Sequence, residues 1–166
     1  MNKTEVYHYL TEKGIRYEAI EHSAAYTMEE LESLSLPHCG SYAKNLFVCD
    51  DKKERFYLLS VKGNKRVNLK EFRKIHHLRR LSFASKEALQ DYLELLPGSV
   101  TPLGLLNDSE RKVTCFLDRE FDGGYIGVHP NENTATVWME FKDFVQLLQE
   151  HGTTVSIVDF KESCGK

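Results

Sequence analysis

The chain has 166 residues, of which 41% are hydrophobic and 28% charged, and a formal net charge of −3 at pH 7. These values are ordinary for one globular domain with a single core. No apolar run approaches the ~20 residues that a membrane span needs, and the first residues lack the apolar centre of a signal peptide, so we expect a cytoplasmic protein that does not enter a membrane.

The N-terminal third is predicted to contain two helices and three strands. An apolar face over residues 2–13 predicts a helix that Gly14 ends. The capping-box pattern of residues 27–30 predicts a second, short helix that runs to about residue 34. Apolar segments predict strands at residues 16–20, 43–49 and 56–61.

The remaining elements follow from capping residues and apolar periodicity. Asn68 and Ser85 are predicted N-caps of two helices, and Pro97 with Gly98 is expected to break the second. A last helix is expected over residues 141–149, closed by Gly152. Further strands are predicted at residues 80–83, 113–117, 125–128, 134–139 and 155–160.

This order predicts the fold class and the domain organisation. Strands outnumber helices and are often joined by short turns, which favours an α+β fold with a mixed, largely antiparallel sheet surrounded by helices. We expect a single domain over residues 1–160 and a flexible C-terminal tail over residues 161–166. No glycine-rich nucleotide-binding pattern occurs, so a nucleotide-fuelled enzyme is not indicated.

Basic residues are concentrated in one block between Lys62 and Arg80, where Glu71 is the one acidic residue. The rest of the chain carries more acidic than basic residues. Such a block either meets the phosphates of a nucleic acid or is a solvated helix face, and charge alone leaves both interpretations open.

Lys44 and Asn45 stand at the entry to an apolar core strand. A lysine at this place points either to water, as an exposed strand end, or into a cleft. In a cleft its ammonium would present a point charge to a phosphate or a carbonyl oxygen.

Two further segments are candidates for a binding site. The loop from Gly98 to Pro102 has the spacing GxxxP, and it either aims backbone groups at a ligand or only connects a helix to a strand. The polar segment that begins at His129 leaves one strand and enters the next. His129 itself fits a general base, a hydrogen-bonding group for a ribose, or a structural histidine.

Side-chain nucleophiles and metal ligands are not indicated. Ser99 lacks a GxSxG context, and the histidines lack HExxH spacing. We therefore expect no metal and no cofactor.

Five segments, in this order, resemble the bacterial prolyl-tRNA editing family. That family includes the YbaK-type deacylases, the free-standing ProXp-ala/PrdX proteins and the editing insertion of bacterial prolyl-tRNA synthetase. The resemblance extends from about Glu18 to Phe160 and is greatest to the ProXp-ala/PrdX branch. The matching segments are residues 26–30 (YTMEE), 44–47 (KNLF), 80–84 (RLSFA), 97–102 (PGSVTP), and 129–131 with 133–136 (HPN, NTAT).

The resemblance implies the YbaK/prolyl-tRNA synthetase-associated domain fold and the hydrolysis of mischarged alanyl-tRNA(Pro) in trans. It places catalytic roles on Lys44, Gly98 and Pro102. Substrate-binding roles fall on Tyr26, Thr27, Asn45, Ser99, Val100, Thr101, His129 and Asn131. Candidate tRNA contacts in the basic block are Lys62, Lys65, Arg66, Lys70, Arg73 and Arg80. The expected partners are the acceptor end of tRNA(Pro) and prolyl-tRNA synthetase, and we expect a monomer.

An aminoacyl ester is already activated, so a water, with help from the terminal ribose hydroxyl, suffices as the nucleophile. We expect the 98–102 loop to orient the attack, Lys44 to anchor the carbonyl side or the terminal phosphate, and Asn45, His129 and Asn131 to fix the terminal nucleoside. Three alternatives remain. They are clearance of cysteine, serine or threonine by the same fold, a non-catalytic tRNA-binding module, and a metal-dependent hydrolase, which the spacing does not favour.

Overall fold

The computed structural model describes residues 1–24, 41–63 and 65–160. The predicted capping-box helix and the C-terminal tail lie outside the described residues. Within these ranges the helices are α1 (Lys3–Glu12), α2 (Leu69–Ile75), α3 (Lys86–Leu93) and α4 (Phe141–His151). The strands are β1 (Tyr17–Glu21), β2 (Ala43–Asp50), β3 (Phe56–Lys62), β4 (Leu81–Phe83), β5 (Val113–Asp118), β6 (Tyr125–Val128), β7 (Ala135–Glu140) and β8 (Val155–Val158).

The predicted helix caps are confirmed. The side chains of Asn68 and Ser85 accept hydrogen bonds from the amides of Glu71 and Ala88 at the starts of α2 and α3. Asn2, which was not predicted as a cap, caps α1 in the same way through the Glu5 amide. Helix α3 ends at Leu93, before the predicted break at Pro97. The left-handed backbone of Glu94 (φ 54°) turns the chain there, and Leu95, 2% exposed, packs into the core.

The strands form two sheets, where a single sheet was expected. The five-stranded sheet has the order β4-β2-β3-β5-β8; its β4, β2 and β3 are antiparallel neighbours, and β5 and β8 join in parallel. The three-stranded sheet β1-β7-β6 is antiparallel throughout. The α+β class with mixed and antiparallel sheets is confirmed. The parallel β3–β5 pair is possible because the connection between them contains α2, β4 and α3.

Backbone contacts at Gly127 connect the two sheets. The amide of Gly127 in β6 donates to the carbonyl of Ser41, just before β2, at 2.8 Å, and Tyr42 and Gly127 form an isolated parallel bridge. A side chain at Gly127 would collide with the indole of Trp138. Glycine at this position therefore lets β6 lie between β7 and the start of β2.

The five-stranded sheet has an apolar cluster on each face. Along β2 the side chains alternate, so Phe47 and Cys49 join one cluster and Val48 joins the other. The first cluster includes residues of α1, α3 and α4. The second cluster lies under α2, whose Phe72 packs against Phe116 and Phe160. By the same alternation, the side chains of Lys44 and Asn45 point to opposite faces of this sheet.

A buried carboxylate fixes the turn after β3 to the end of β5. Asp118 is fully buried and accepts from the backbone amide of Lys62 (2.9 Å), from the ammonium of Lys65 (2.7 Å) and from the amide of Glu120 (3.1 Å). Glu120, with 61% of its side chain exposed, pairs with the same ammonium. No helix in the described ranges has the length and apolar character needed to cross a bilayer.

Replacement of Asp118 by alanine is expected to destabilise the fold strongly. It would leave the Lys65 ammonium without its buried partner and two amides without an acceptor, so the free energy of unfolding should fall by about 3–5 kcal/mol. The matched control is Glu120→Ala, which removes only the exposed partner and should cost less than about 1 kcal/mol. Urea unfolding measures both, and equal losses would contradict the role given to Asp118.

Candidate functional site

The polar side chain of Asn45 lies on the inner face of β2 and holds the 98–102 loop. Its amide nitrogen donates to the carbonyl of Val100 at 3.2 Å. Its amide oxygen accepts from the hydroxyl of Ser60 at 2.6 Å, across the β2–β3 pair. Asn45 therefore uses both ends of its side chain to position the loop against the sheet.

The next residue of the loop, Thr101, is fully buried and provides a second attachment. The Thr101 hydroxyl donates to the carbonyl of His129 at 2.6 Å and accepts from the amide of Leu103 at 3.3 Å. Gly98 has a left-handed backbone (φ 88°), and Pro102 begins the 3-10 helix Pro102–Asn107. The predicted rigid loop is thus fastened to β2 on one side and to the end of β6 on the other.

The fastened loop has two adjacent amides that make no hydrogen bond to the described residues. The carbonyl of Val100 and the hydroxyl of Thr101 are bound, but in the described part of the chain neither the Val100 nor the Thr101 amide donates to a protein acceptor. Thr101 is a buried residue and Val100 a partly buried one, and backbone amides that are buried without an acceptor are rare in folded proteins. Two adjacent donors on a fixed loop fit a ligand oxygen.

The imidazole of His129 has a fixed tautomer. Its Nδ1 lies 2.8 Å from the carbonyl of Ala135, which can only accept, so Nδ1 carries the proton. Burial lowers the pKa of His129 below its ordinary value, so the ring is neutral at pH 7. Its Nε2 is therefore an acceptor. The ring of His22 lies 6.0 Å away, and Nε2 of His22 lies 2.9 Å from the hydroxyl of Thr136.

Asn131 has a structural contact as well as a place at a cleft. It adopts a left-handed backbone (φ 64°), is 8% exposed, and donates from Nδ2 to the carbonyl of Met1 at 3.0 Å. Its buried oxygen has no hydrogen-bond partner among the described residues. Asn131, Ser99 and Asn133 are among the residues that line a cleft of about 420 Å³.

Lys44 lies on the opposite face of β2 from Asn45. It pairs in register with Val61, a member of the second apolar cluster, and its ammonium donates to the carbonyl of Lys65 at 3.3 Å. Within the described ranges no carboxylate lies within ion-pair distance of this ammonium. The structure thus brings together Asn45, the 98–102 loop and His129, and it places the Lys44 charge behind them on the other face of the strand.

The predicted tRNA contacts differ in how much charge they expose. Arg66, Lys70 and Arg80 are exposed, while Lys62 and Arg73 are half-buried. The ammonium of Lys65 is buried and neutralised by its two carboxylate partners. The predicted substrate contacts Tyr26 and Thr27 lie outside the described residues.

Sequence reasoning missed Ser60 and His22. Ser60 is the one polar residue within the buried apolar strand β3, before its final lysine, and that break in an apolar run was a usable signal. His22 follows β1, and its place beside His129 depends on the pairing of β1 with β7, which the sequence pattern does not fix. Among the described residues, no group of three or more potential ligands is arranged to hold a metal ion.

Comparison with known proteins gives matches over nearly the whole chain. The family described as an aminoacyl-tRNA editing domain matches residues 22–147. The prolyl-tRNA editing protein ProX of Acetoanaerobium sticklandii is 35% identical over 151 residues, which are 90% of this chain and 92% of that protein. The prolyl-tRNA synthetase associated domain-containing protein 1 of Xenopus laevis is 35% identical over 167 residues, covering 95% and 96% of the two chains.

The fold also occurs among solved structures. The crystal structure of a proposed trans-editing enzyme for prolyl-tRNA synthetase superimposes with a TM-score of 0.72 over 97% of each chain, at 22% identity. At this level of identity the likeness concerns the fold alone.

The hydroxyl of Thr101 is expected to hold the loop in place. Thr101→Val keeps the shape but removes the bonds to His129 and Leu103, so the free energy of unfolding should fall by about 1–3 kcal/mol and the Leu103 amide should exchange faster. Thr101→Ser retains the hydroxyl and serves as the control. Denaturant unfolding and hydrogen exchange measure both effects, and equal behaviour of the two variants would rule out the role.

Proposed function

Because the chain belongs to the aminoacyl-tRNA editing domain family, we propose that it clears alanine from alanyl-tRNA(Pro) by hydrolysing the ester in trans. It is an aminoacyl-tRNA hydrolase of the prolyl-tRNA editing type. Alanine as the amino acid and the mechanism below are the parts that we propose. Docking on prolyl-tRNA synthetase and a monomeric state stay predictions.

The observation that carries the mechanism is the fastened loop with its two free amides. The Val100 and Thr101 amides lie on a backbone that Asn45 and the Thr101 hydroxyl hold in place. In the proposed reaction they donate to the ester carbonyl oxygen and to the negative charge that develops on it. Removal of one such donor costs other hydrolases about 3–4 kcal/mol of transition-state stabilisation, so preorganised donors are an adequate source of catalysis.

His129 is proposed to bind the terminal ribose. Its unprotonated Nε2 accepts from the ribose hydroxyl next to the ester, and that hydroxyl in turn orients the attacking water. The water adds to the carbonyl carbon and the ester C–O bond breaks. The ribose oxygen that leaves takes up the proton that the attacking water gives up, and free alanine is released. No step needs a side-chain nucleophile.

Lys44 is proposed to contact the terminal phosphate. Its ammonium lies on the other face of β2 from Asn45, which favours the phosphate over the ester carbonyl among the two anchors that the sequence suggested. The ammonium lacks a carboxylate partner among the described residues, so its charge is available to an anion.

Selectivity against proline is proposed to arise by size exclusion. A single methyl or methylene group contributes only about 1–3 kcal/mol of discrimination, so tight binding of alanine alone cannot separate the two amino acids. A pocket too small for the pyrrolidine ring admits alanine and spares the correct product. Alanine on its own tRNA must then be spared through contacts with the tRNA.

Hydrolysis of a panel of charged tRNAs tests the proposed function. The wild-type protein should deacylate alanyl-tRNA(Pro) and spare both prolyl-tRNA(Pro) and alanyl-tRNA(Ala). Lys44→Ala should lose about tenfold or more in kcat/KM, because a charge-assisted contact is removed. Normal hydrolysis by that variant would refute the anchoring role. A preference for cysteinyl-, seryl- or threonyl-tRNA would show that the protein clears that amino acid and not alanine. Absence of any turnover would indicate a non-catalytic tRNA-binding module.

The exposed part of the basic block is expected to bind the tRNA phosphates. Charge reversal by Arg66→Glu or Lys70→Glu should raise KM for charged tRNA and flatten its dependence on salt, because fewer counterions are released on binding. Lys13→Glu, at an exposed lysine at the end of α1, is the matched control. If the two reversals behave like the control, the block is only a solvated surface.

A further inference from the structure

Phe83 is an aromatic side chain left open to solvent on the edge of a sheet. It is the last residue of β4, the outer strand of the five-stranded sheet, and it is 66% exposed. The other large apolar side chains exposed to this degree among the described residues, Ile75 and Leu96, are aliphatic. An aromatic ring held open in this way offers a flat surface for stacking.

The backbone around Phe83 is fixed on both sides. Phe83 pairs with Val48 of β2, and the next residue, Ala84, donates its amide to the carbonyl of Phe47 at 3.0 Å. Ser85 then caps α3. Leu81, on the same face of β4, is buried in the second apolar cluster. A partner that binds this ring therefore does not have to order the backbone first.

The charge around Phe83 favours a polyanion. Arg80 stands three residues before it and Lys86 three residues after it, and both are exposed. In the described ranges neither has a carboxylate within ion-pair distance. Arg79 behaves differently, because its guanidinium is paired with Asp51 at 2.6 Å. In the sequence, Phe83 thus lies between two exposed cations that have no carboxylate partner among the described residues.

Phe83 and Lys44 share one face of the sheet. Lys44 and Val48 are four residues apart on β2, so their side chains point to the same face of the sheet. Val48 is the register partner of Phe83. Four residues along a strand correspond to about 13 Å at ~3.3 Å per residue. That distance is within the reach of a few single-stranded nucleotides. A strand whose terminal phosphate lies at Lys44 can therefore place an upstream base at Phe83.

We propose that Phe83 stacks on an unpaired base of the tRNA acceptor end, with Arg80 and Lys86 beside the flanking phosphates. This inference rests on the proposed function, since it assumes that Lys44 marks the position of the terminal nucleotide. Base–aromatic stacking is tolerant of sequence, because every base has a π-face. The contact therefore adds affinity for the single-stranded end that charged tRNAs share, and it adds little to the choice among them.

Kinetics provide the first test. Phe83→Ala and Phe83→Leu should each raise KM for alanyl-tRNA(Pro) by about fivefold or more with kcat unchanged, because a stacking contact away from the reacting atoms is lost. Phe83→Tyr keeps the ring and should restore the wild-type KM. Ile75→Ala removes an exposed aliphatic side chain and is the control, with wild-type kinetics expected. An unchanged KM for Phe83→Leu would overturn the proposal.

A fluorescent base provides a test that does not depend on turnover. With 2-aminopurine placed in turn at each unpaired 3′ position of uncharged tRNA(Pro), the wild-type protein and Phe83→Tyr should quench one position, and Phe83→Ala and Phe83→Leu should not. If Phe83→Ala and Phe83→Leu still quench the 2-aminopurine fluorescence, the proposed stacking is wrong. Quenching that depends on Phe83 in a wild-type protein without deacylase activity would reject the proposed function and keep the contact.

The competing occupant of the β4 edge is a second copy of the chain. Sedimentation of the wild-type protein and Phe83→Ala at equal concentration separates the two cases. A monomer in both supports the nucleic-acid contact, and a wild-type dimer that dissociates in the variant overturns it.

Discussion

The hydrogen bonds of Asn45 are the constraint on which the rest of the site depends. A loop rich in glycine and proline has no regular backbone partners of its own, and here Asn45 binds it to β2 while Ser60 fixes the orientation of the Asn45 amide. Thr101, the residue after Val100, binds the loop to the carbonyl of His129. These bonds use the Val100 carbonyl and the Thr101 hydroxyl, and among the described residues the Val100 and Thr101 amides have no acceptor.

The two-residue period of a β-strand explains why the neighbours Lys44 and Asn45 contact different parts of the protein. Successive side chains point to opposite faces, so Asn45 is directed to the loop and Lys44 to the face that carries Phe83. In the proposed mechanism, hydrolysis on one face of the strand and binding of the polyanionic end on the other do not compete for space. An ammonium next to the free amides would also stabilise the ground-state carbonyl, whereas amides on a fixed loop act where charge develops.

Local patterns in the sequence predicted most of the fold. The caps Asn68 and Ser85, the ends of the helices near glycine, and the strands around residues 43–62 all follow from spacing and residue type. The division into two sheets could not be predicted from these patterns, because it depends on the non-local pairing of β1 with β7 and on Gly127 beside Trp138. The site was predicted as a set of segments, but the opposite faces of Lys44 and Asn45 required the strand register.

Burial also determines which cations of the basic block remain available to a polyanion. Lys65 is charged in the sequence, yet its ammonium is neutralised by Asp118 and Glu120 and holds the turn after β3. That turn provides the carbonyl to which Lys44 donates. The ion pair thus acts indirectly, since it fixes the acceptor that orients Lys44. Counting the cations along the sequence therefore overstates the positive charge that the basic block presents to phosphates. Ion-pair partners and burial show which of these cations can bind a phosphate.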